Sequence, residues 1–139
     1  MSDPTVNKAI LENVYRHWNE TLGGSVDEIM DICADEIRWG SLAQGVSPLP
    51  FTAEAVGKSE VRKYFHGLLA AWSMVYYKVH YFVAETDRVV MVGSTKWTNK
   101  ETGKACETAK IDIWRFRDGR AIEFFEHYDT AQMLDAAKP

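Results

Sequence analysis

The second half of the chain has a hydrophobic pattern that alternates at every second residue, and this pattern restricts the fold more than any other feature. It divides into four segments, 74–85, 88–98, 104–117 and 120–128. Such alternation indicates β-strands, because successive side chains of a strand point to opposite faces of a sheet. The joints are short, and Asp118-Gly119 is a strong hairpin signal because glycine tolerates the positive φ of tight turns. Four sequential strands with short joints predict an antiparallel meander.

The first half of the chain has the three- and four-residue spacing of amphipathic helices. Apolar side chains recur in this way in the segments 4–22, 26–33 and 58–72. A short strand is predicted at 36–41, and a short C-terminal helix is predicted to begin after Asp129, which suits an N-cap. Because three helices precede the meander, they must cover one face of its sheet, so the predicted fold class is α+β.

Length and charge narrow the class of protein. The 139 residues are enough to bury a real core, and we predict one domain over residues 1–139. The net charge is -4, and no basic run with interleaved aromatics occurs, so no nucleic-acid partner is expected. No apolar stretch approaches the roughly 20 residues of a membrane helix, and the first residues lack the features of a signal peptide. We therefore expect a cytoplasmic protein without a membrane partner.

The sequence contains no pattern that is typical of a bound cofactor or metal. The four histidines match no ligand spacing, and neither a CxxC nor an HExxH motif occurs, so no metal is expected. A glycine-rich phosphate loop, a nucleotide fingerprint and a nucleophile elbow are also missing. Two cysteines are too few for a disulfide framework. We expect chemistry, where there is any, to come from the side chains alone.

Several short motifs follow one another in an informative order. Ala34-Asp35-Glu36 precedes Gly57-Lys58-Ser59, and the stretch 111–131 then combines Ile-Asp-Ile-Trp-Arg-Phe, Asp-Gly-Arg and Glu-His-Tyr-Asp-Thr-Ala. Together these motifs resemble the NTF2-like superfamily, and within it the SnoaL-like and ketosteroid isomerase-like branch. The resemblance implies a cone-shaped, curved, mostly antiparallel sheet with three helices on its concave face and an enclosed pocket. It does not imply one function, because this fold hosts isomerases, cyclases, hydrolases, dehydratases and binders.

The resemblance also implies roles for individual residues. Asp112 matches the position at which ketosteroid isomerases keep a protonated aspartate that donates a hydrogen bond to a developing oxyanion. His17 falls near the tyrosine of the same oxyanion hole, and Glu126 falls where limonene-epoxide hydrolases keep a pocket carboxylate. We therefore predict these three as catalytic residues. Ser41 replaces the isomerase's proton-shuttling aspartate and Thr95 replaces an aspartate of the hydrolase, so neither enzyme's full set is present.

The alternation supports the same pocket independently. Asp112 and Glu126 flank the Asp118-Gly119 turn at similar distances, so they should lie on neighbouring strands. Desolvation and a nearby like charge favour the neutral form of a carboxyl group, so one carboxyl could serve as an acid and the other as a base. A structural ion pair of Asp112 with Lys110 or an arginine is the alternative. The predicted substrate-binding residues are Trp39, Ser41, Thr95, Trp97, Trp114, Phe124 and Tyr128.

Three functions remain open at this point. The chain is an enzyme that uses general acid–base chemistry without a cofactor, a binding domain for the same ligand, or a structural dimer. In the first two cases the partner is a small apolar or aromatic organic ligand. Ala109, Ile111 and Ile113 make the opposite face of the fourth predicted segment apolar too, which favours a homodimer through the outer face of the sheet.

Overall fold

A computed structural model describes residues 2–139, and in this part of the chain four α-helices surround a six-stranded sheet. The helices are α1 (Pro4–Glu20), α2 (Val26–Ile32), α3 (Lys58–Ala71) and α4 (Thr130–Ala137). The strands are β1 (Cys33–Ser41), β2 (Ala55–Val56), β3 (Trp72–Glu85), β4 (Arg88–Asn99), β5 (Ala105–Arg117) and β6 (Arg120–Tyr128). The predicted α+β class is confirmed. Strand β1 begins at Cys33 instead of the predicted residue 36, and the two-residue strand β2 was not predicted.

The six strands form one curved, unclosed sheet in the order β2-β1-β6-β5-β4-β3. Strands β3 to β6 form the predicted antiparallel meander. Strand β1 is parallel to β6, which is distant in sequence, and this pairing places Trp39 beside Phe124 and Ser41 beside Glu126. The pairing of the first long strand with the last one therefore brings two parts of the predicted pocket together.

The β5–β6 hairpin sets the register of the predicted carboxyl pair. Asp118 and Gly119 both have positive φ, at 51° and 78°, as a two-residue hairpin turn requires. Asp112 and Glu126 lie on neighbouring strands, as the sequence predicts, and they are direct register partners there. Next to the turn, Arg117 pairs with Arg120 and Phe116 with Ala121, and a bulge between Arg115 and Phe116 then shifts the register by one residue. Without this bulge Asp112 would lie opposite Phe125, so the bulge makes Asp112 and Glu126 partners.

Helices α1, α2 and α3 lie on the concave face of the sheet. Helix α1 packs its apolar stripe against β3 and β4, and α3 packs against β1 and β3. The short helix α2 contacts both of them. Asp3 caps α1 by accepting hydrogen bonds from the backbone of Thr5 and Val6. Asp129 caps α4 through the backbone N–H of Gln132, as the sequence predicts.

Residues 2–139 contain neither a helix that could span a membrane nor a cluster of metal-binding side chains. No helix in this range combines the length and hydrophobicity that a bilayer-spanning segment requires. Nor do three His, Cys, Asp or Glu side chains of these residues come together in an arrangement that could hold a metal ion.

Candidate functional site

A cavity lies between the three helices and the concave face of the sheet, and its wall is mainly aromatic. Its volume is about 80 Å³, several times the roughly 10–15 Å³ that one water molecule needs. Trp39 stacks on Phe124 with ring centroids 3.8 Å apart, and Trp114 meets both rings edge-on. The aromatic residues of the wall are Tyr15, Trp18, Trp39, Phe51, Tyr64, Phe65, Trp72, Tyr77, Trp97, Trp114, Phe124 and Tyr128.

Three ionisable side chains line this cavity and contact one another. The Lys110 ammonium donates a short hydrogen bond to Asp112 Oδ1, and its Nζ lies 2.9 Å from Glu126 Oε1. None of the three side chains is more than 8% exposed. Buried charges are tolerated when they are paired and hydrogen-bonded. We call these three residues the ionic triad; with both carboxyl groups ionised, it carries one net negative charge.

Buried tyrosines complete the hydrogen bonding of the two carboxylates. Asp112 Oδ2 accepts hydrogen bonds from the hydroxyl groups of Tyr15, at 2.5 Å, and Tyr77, at 2.7 Å. Glu126 Oε2 accepts a hydrogen bond from the Tyr64 hydroxyl at 2.6 Å. All four carboxylate oxygens of the triad therefore have at least one partner inside the protein.

Further hydrogen bonds hold the surrounding side chains in place. The indole N–H of Trp114 donates to the Tyr15 hydroxyl at 2.8 Å, so that hydroxyl is fixed from both sides. The indole N–H of Trp97 donates to Thr95 Oγ1, also at 2.8 Å. Trp97 and Thr95 both lie on β4, whereas the Trp114–Tyr15 hydrogen bond joins β5 to α1 and therefore depends on how α1 packs against the sheet.

The surroundings raise the pKa values of Lys110 and of the three buried tyrosines. Burial by itself would lower the pKa of Lys110, but the neighbouring carboxylates of Asp112 and Glu126 outweigh this effect and the pKa is raised. Burial, and then the nearby carboxylates, raise the pKa values of Tyr15, Tyr64 and Tyr77 well above 10. At neutral pH the lysine is therefore an ammonium group, and the three phenols are hydrogen-bond donors rather than bases.

Alternation along two strands explains how the triad arises. Lys110, Asp112 and Trp114 are successive inward residues of β5, and Phe124 and Glu126 are inward residues of β6. Adjacent inward positions on one strand place the lysine next to the aspartate, and the register places the glutamate opposite it. The tyrosines come from three other elements, which are α1, α3 and β3.

Most of the predicted site residues come together in this cavity. Asp112 and Glu126 lie side by side on its wall. Six of the seven predicted substrate-binding residues also line it, namely Trp39, Thr95, Trp97, Trp114, Phe124 and Tyr128. Ser41 is buried behind the wall, where its hydroxyl is 2.5 Å from the Tyr128 hydroxyl. It therefore supports Tyr128 and does not itself face the cavity.

The structure does not bring His17 into the cavity. Its Nδ1 lies 2.9 Å from the Glu28 carboxylate, and its side chain is 32% exposed. Two residues along a helix correspond to a rotation of roughly 200°, so Tyr15 and His17 face nearly opposite directions. The α1 side chain beside Asp112 is therefore Tyr15, one of the residues that the helix buries.

Tyr64, Tyr77 and Lys110 were also missing from the predicted site. Lys110 was considered only as a structural partner that would exclude a pocket role for Asp112, whereas the structure has the ion pair and the cavity together. The inward alternation of β5 was the available signal for Lys110. No comparable signal marked the tyrosines, because the stripe of a helix or strand does not distinguish a core tyrosine from one that faces a cavity.

The chain belongs to the SnoaL-like family, since the family model for the SnoaL-like domain matches residues 11–124. Solved structures share the fold at low sequence identity. An NTF2-like protein of unknown function from Burkholderia pseudomallei K96243 has a TM-score of 0.85 and 23% identity, and the match covers 100% of both chains. A comparison with curated proteins found no match.

Two further solved structures contain a small molecule. TerC, co-crystallized with polyporic acid, has a TM-score of 0.81 and 17% identity over 94% of this chain and 97% of TerC. A hypothetical protein from Catenulispora acidiphila DSM 44928, with a ketosteroid isomerase-like fold and in complex with trimethylamine, has a TM-score of 0.75. It is 12% identical over 94% of this chain and 93% of its own. At these identities the likeness shows the fold alone.

Proposed function

We propose that this protein is a cofactor-independent enzyme that performs general acid–base chemistry on a small, largely apolar ligand in the aromatic cavity. The observation that carries this proposal is the ionic triad of Lys110, Asp112 and Glu126 on the cavity wall. Two carboxylates and an ammonium group in a water-poor cavity provide a base and an electrostatic stabiliser for negative charge. Isomerisation, cyclisation, dehydration and hydrolysis can each use such groups.

Glu126 is the better candidate for the base. Its carboxylate has two partners, whereas that of Asp112 has three. Fewer hydrogen bonds leave more electron density for an incoming proton. In the proposed first step, Glu126 takes a proton from a carbon next to a ligand carbonyl, and the electron pair moves onto the carbonyl oxygen. The Lys110 ammonium stabilises the resulting enolate. Where the ligand has a C=C bond next to that carbon, the intermediate is a conjugated dienolate, and return of the proton to its far carbon shifts the C=C bond and completes an isomerisation without other reactants.

A hydrogen-exchange experiment tests this proposal with a defined probe. 1-Indanone is an apolar ketone. In D₂O, the loss of the NMR signal of its C2 protons reports the abstraction of those protons. We expect the protein to accelerate this loss, and Glu126→Gln to reduce the acceleration by about 10²- to 10⁴-fold, the usual contribution of a general base. Glu123→Gln is the matched control, since Glu123 lies on the same strand and pairs with Arg115 instead.

The outcome of the control decides the interpretation. Equal exchange rates for the wild type and Glu126→Gln would refute the role of Glu126 as the base. Loss of exchange in both variants would indicate damage to the strand rather than to the chemistry. Circular dichroism of each variant checks that the fold is intact.

A non-catalytic binding domain is the second candidate, and one observation favours it. Every carboxylate oxygen of the triad is already paired inside the protein, so the wall can hold its shape without reacting with a ligand. The complexes of TerC with polyporic acid and of the Catenulispora protein with trimethylamine support small-ligand binding by this fold. Binding of 1-indanone without any proton exchange over long incubation would favour this alternative.

We also propose that two copies pair through the outer face of the sheet. Two mainly apolar rows cross four strands there. The first row is Tyr81, Val92, Ile111 and His127, and the second row is Val83, Val90, Ile113 and Phe125. A charged row of Glu85, Arg88, Arg115 and Glu123 borders them.

Sedimentation measurements test this dimer. Ile111 is 39% exposed within the apolar rows, and Ile111→Asp should convert the dimer to a monomer. Val6→Asp is the control, since Val6 is similarly exposed but lies on α1. A wild-type protein that sediments as a monomer would contradict the proposal.

The two free, buried thiols, Cys33 and Cys106, fit a reducing compartment, and we propose a cytoplasmic location.

A further inference from the structure

We infer that the cavity selects ligands that present a hydrogen-bond-accepting oxygen to the indole N–H of Trp39, and that it disfavours ligands with an amine. The inference deepens the proposed function, since it rests on ligand binding in this cavity, but it does not depend on catalysis. Trp39 lines the cavity wall, and its Nε1 is buried without a hydrogen-bond partner among residues 2–139.

Two of the four other indole groups on the same wall donate hydrogen bonds within the protein. Trp114 donates to Tyr15, and Trp97 donates to Thr95. Most buried N–H groups in folded proteins have a partner, and a lone one calls for an explanation. An oxygen atom supplied by a ligand is the explanation that agrees with the place of Trp39 on a cavity wall.

The packing around Trp39 prevents the ring from turning to find another partner. Its ring stacks on Phe124 at 3.8 Å, and the rings of Phe65 and Trp114 approach at steep angles with centroid distances of 5.3 and 5.5 Å. A rotamer change would have to displace these neighbours from a close-packed core. The donor is therefore held in place before a ligand arrives.

The charges of the cavity decide between an acceptor and a cation. An aromatic wall with net negative charge could attract an ammonium ion. Here the Lys110 ammonium already occupies that position, with Nζ 5.6 to 5.9 Å from the ring centres of Tyr77, Phe124 and Tyr128. A ligand cation would lie near a like charge and would find every carboxylate oxygen already paired.

Lys110 adds a second donor for the same kind of ligand. An ammonium group has three N–H donors, and among residues 2–139 the structure gives its Nζ two carboxylate partners. The third N–H is therefore available to a ligand oxygen. Trp39 and Lys110 thus offer hydrogen-bond donors from the wall, so the ligand class is ketones, quinones and phenols.

Three probes of matched shape test this selectivity. 1-Indanone carries an acceptor oxygen, indane carries no polar group, and 1-aminoindane carries a cation at neutral pH. We expect 1-indanone to bind about three- to tenfold more tightly than indane, the ratio that one net hydrogen bond gives. 1-Aminoindane should bind no better than indane. Dissociation constants come from titrations of ¹⁵N-tryptophan-labelled protein, whose five tryptophans give five indole N–H signals.

Two variants locate the effect at the indole N–H. Trp39→Phe keeps an aromatic ring and removes the donor. It should therefore weaken the binding of 1-indanone by about three- to tenfold and leave the affinity for indane nearly unchanged. Trp97→Phe is the matched control, because its N–H already donates to Thr95, and it should change both affinities equally. In the wild type, 1-indanone but not indane should move the Trp39 indole signal downfield.

Several results would overturn the inference. They are equal affinity for 1-indanone and indane, a preference for 1-aminoindane, an unmoved Trp39 signal, or no binding by any probe at millimolar concentration. If Trp39→Phe does not fold, the wild-type signal shift and the affinity ratio still decide. Ketone binding without C2 proton exchange would refute the enzymatic proposal and leave this inference standing.

Discussion

Replacement of Lys110 by Met should destabilise the protein far more than the loss of a surface lysine. The ammonium group contacts Asp112 and lies 2.9 Å from Glu126 Oε1, and all three side chains are buried. Met has a similar length and fills the same space, so the change removes the charge and leaves the packing largely intact. Two buried carboxylates then face each other without a cation between them.

The magnitude follows from this geometry. Removal of one partner of a buried ion pair costs about 3–5 kcal/mol, because the remaining charge is left uncompensated. A protein of this size has a total stability of about 5–15 kcal/mol, so Lys110→Met should lose a large share of it. For a domain of this size we expect the melting temperature to fall by roughly 10–20 °C.

Urea unfolding followed by circular dichroism measures this loss. Lys78→Met is the control, since Lys78 is exposed on β3, and it should stay within about 0.5 kcal/mol of the wild type. A triple variant, Lys110→Met with Asp112→Asn and Glu126→Gln, removes all three charges and should recover about half of the loss. A cost below about 1 kcal/mol for Lys110→Met would refute the buried triad, as would a triple variant less stable than the single one.

The remaining predictions concern alkaline pH and close packing. The raised pKa values of Tyr15, Tyr64 and Tyr77 mean that the folded state holds these protons more tightly than the unfolded state, whose tyrosines ionise near pH 10. Their contribution to stability is therefore complete below pH 10 and is lost as the pH rises above it, by up to about 1.4 kcal/mol per pH unit for each tyrosine. Absorbance at 295 nm should show these three ionising only together with the loss of circular dichroism, and ionisation before unfolding would contradict their burial. Gly93→Ala should cost about 1–3 kcal/mol in urea unfolding, because a Cβ there would lie 2.1 Å from the carbonyl oxygen of Lys78; an unchanged midpoint would show that β3 and β4 separate easily at this point.

Local patterns predicted the elements well, because each depends on residues close together in the chain. The alternation from Met74 to Tyr128 gave four strands whose ends agree with the structure within two residues. The Asp118-Gly119 turn then placed Asp112 and Glu126 on neighbouring strands, whereas their direct pairing depends on the bulge between Arg115 and Phe116, which was not predicted. These inferences needed only the geometry of a strand and of a two-residue turn.

The family resemblance predicted a catalytic role for His17 from its approximate position in the sequence, but the structure places this side chain outside the cavity. A shift of two positions along α1 turns a side chain to the other side of the helix, and only packing decides which residue faces the sheet. The stripe of α1 contains Tyr15 and Trp18, and these are the side chains that α1 buries against the cavity. His17 instead pairs with Glu28 at the surface.

The sequence by itself determined the fold class, the hairpin that carries the carboxyl pair and the aromatic character of the wall. Only the tertiary structure decided that Lys110 joins the two carboxylates, that Tyr15, Tyr64 and Tyr77 hydrogen-bond to them, and that the Trp39 N–H is left without a partner. The physical reason is the range of the interactions. Alternation and turns act between near neighbours, whereas a hydrogen bond between α1 and β5 joins residues 97 positions apart, and its existence depends on how every element between them packs.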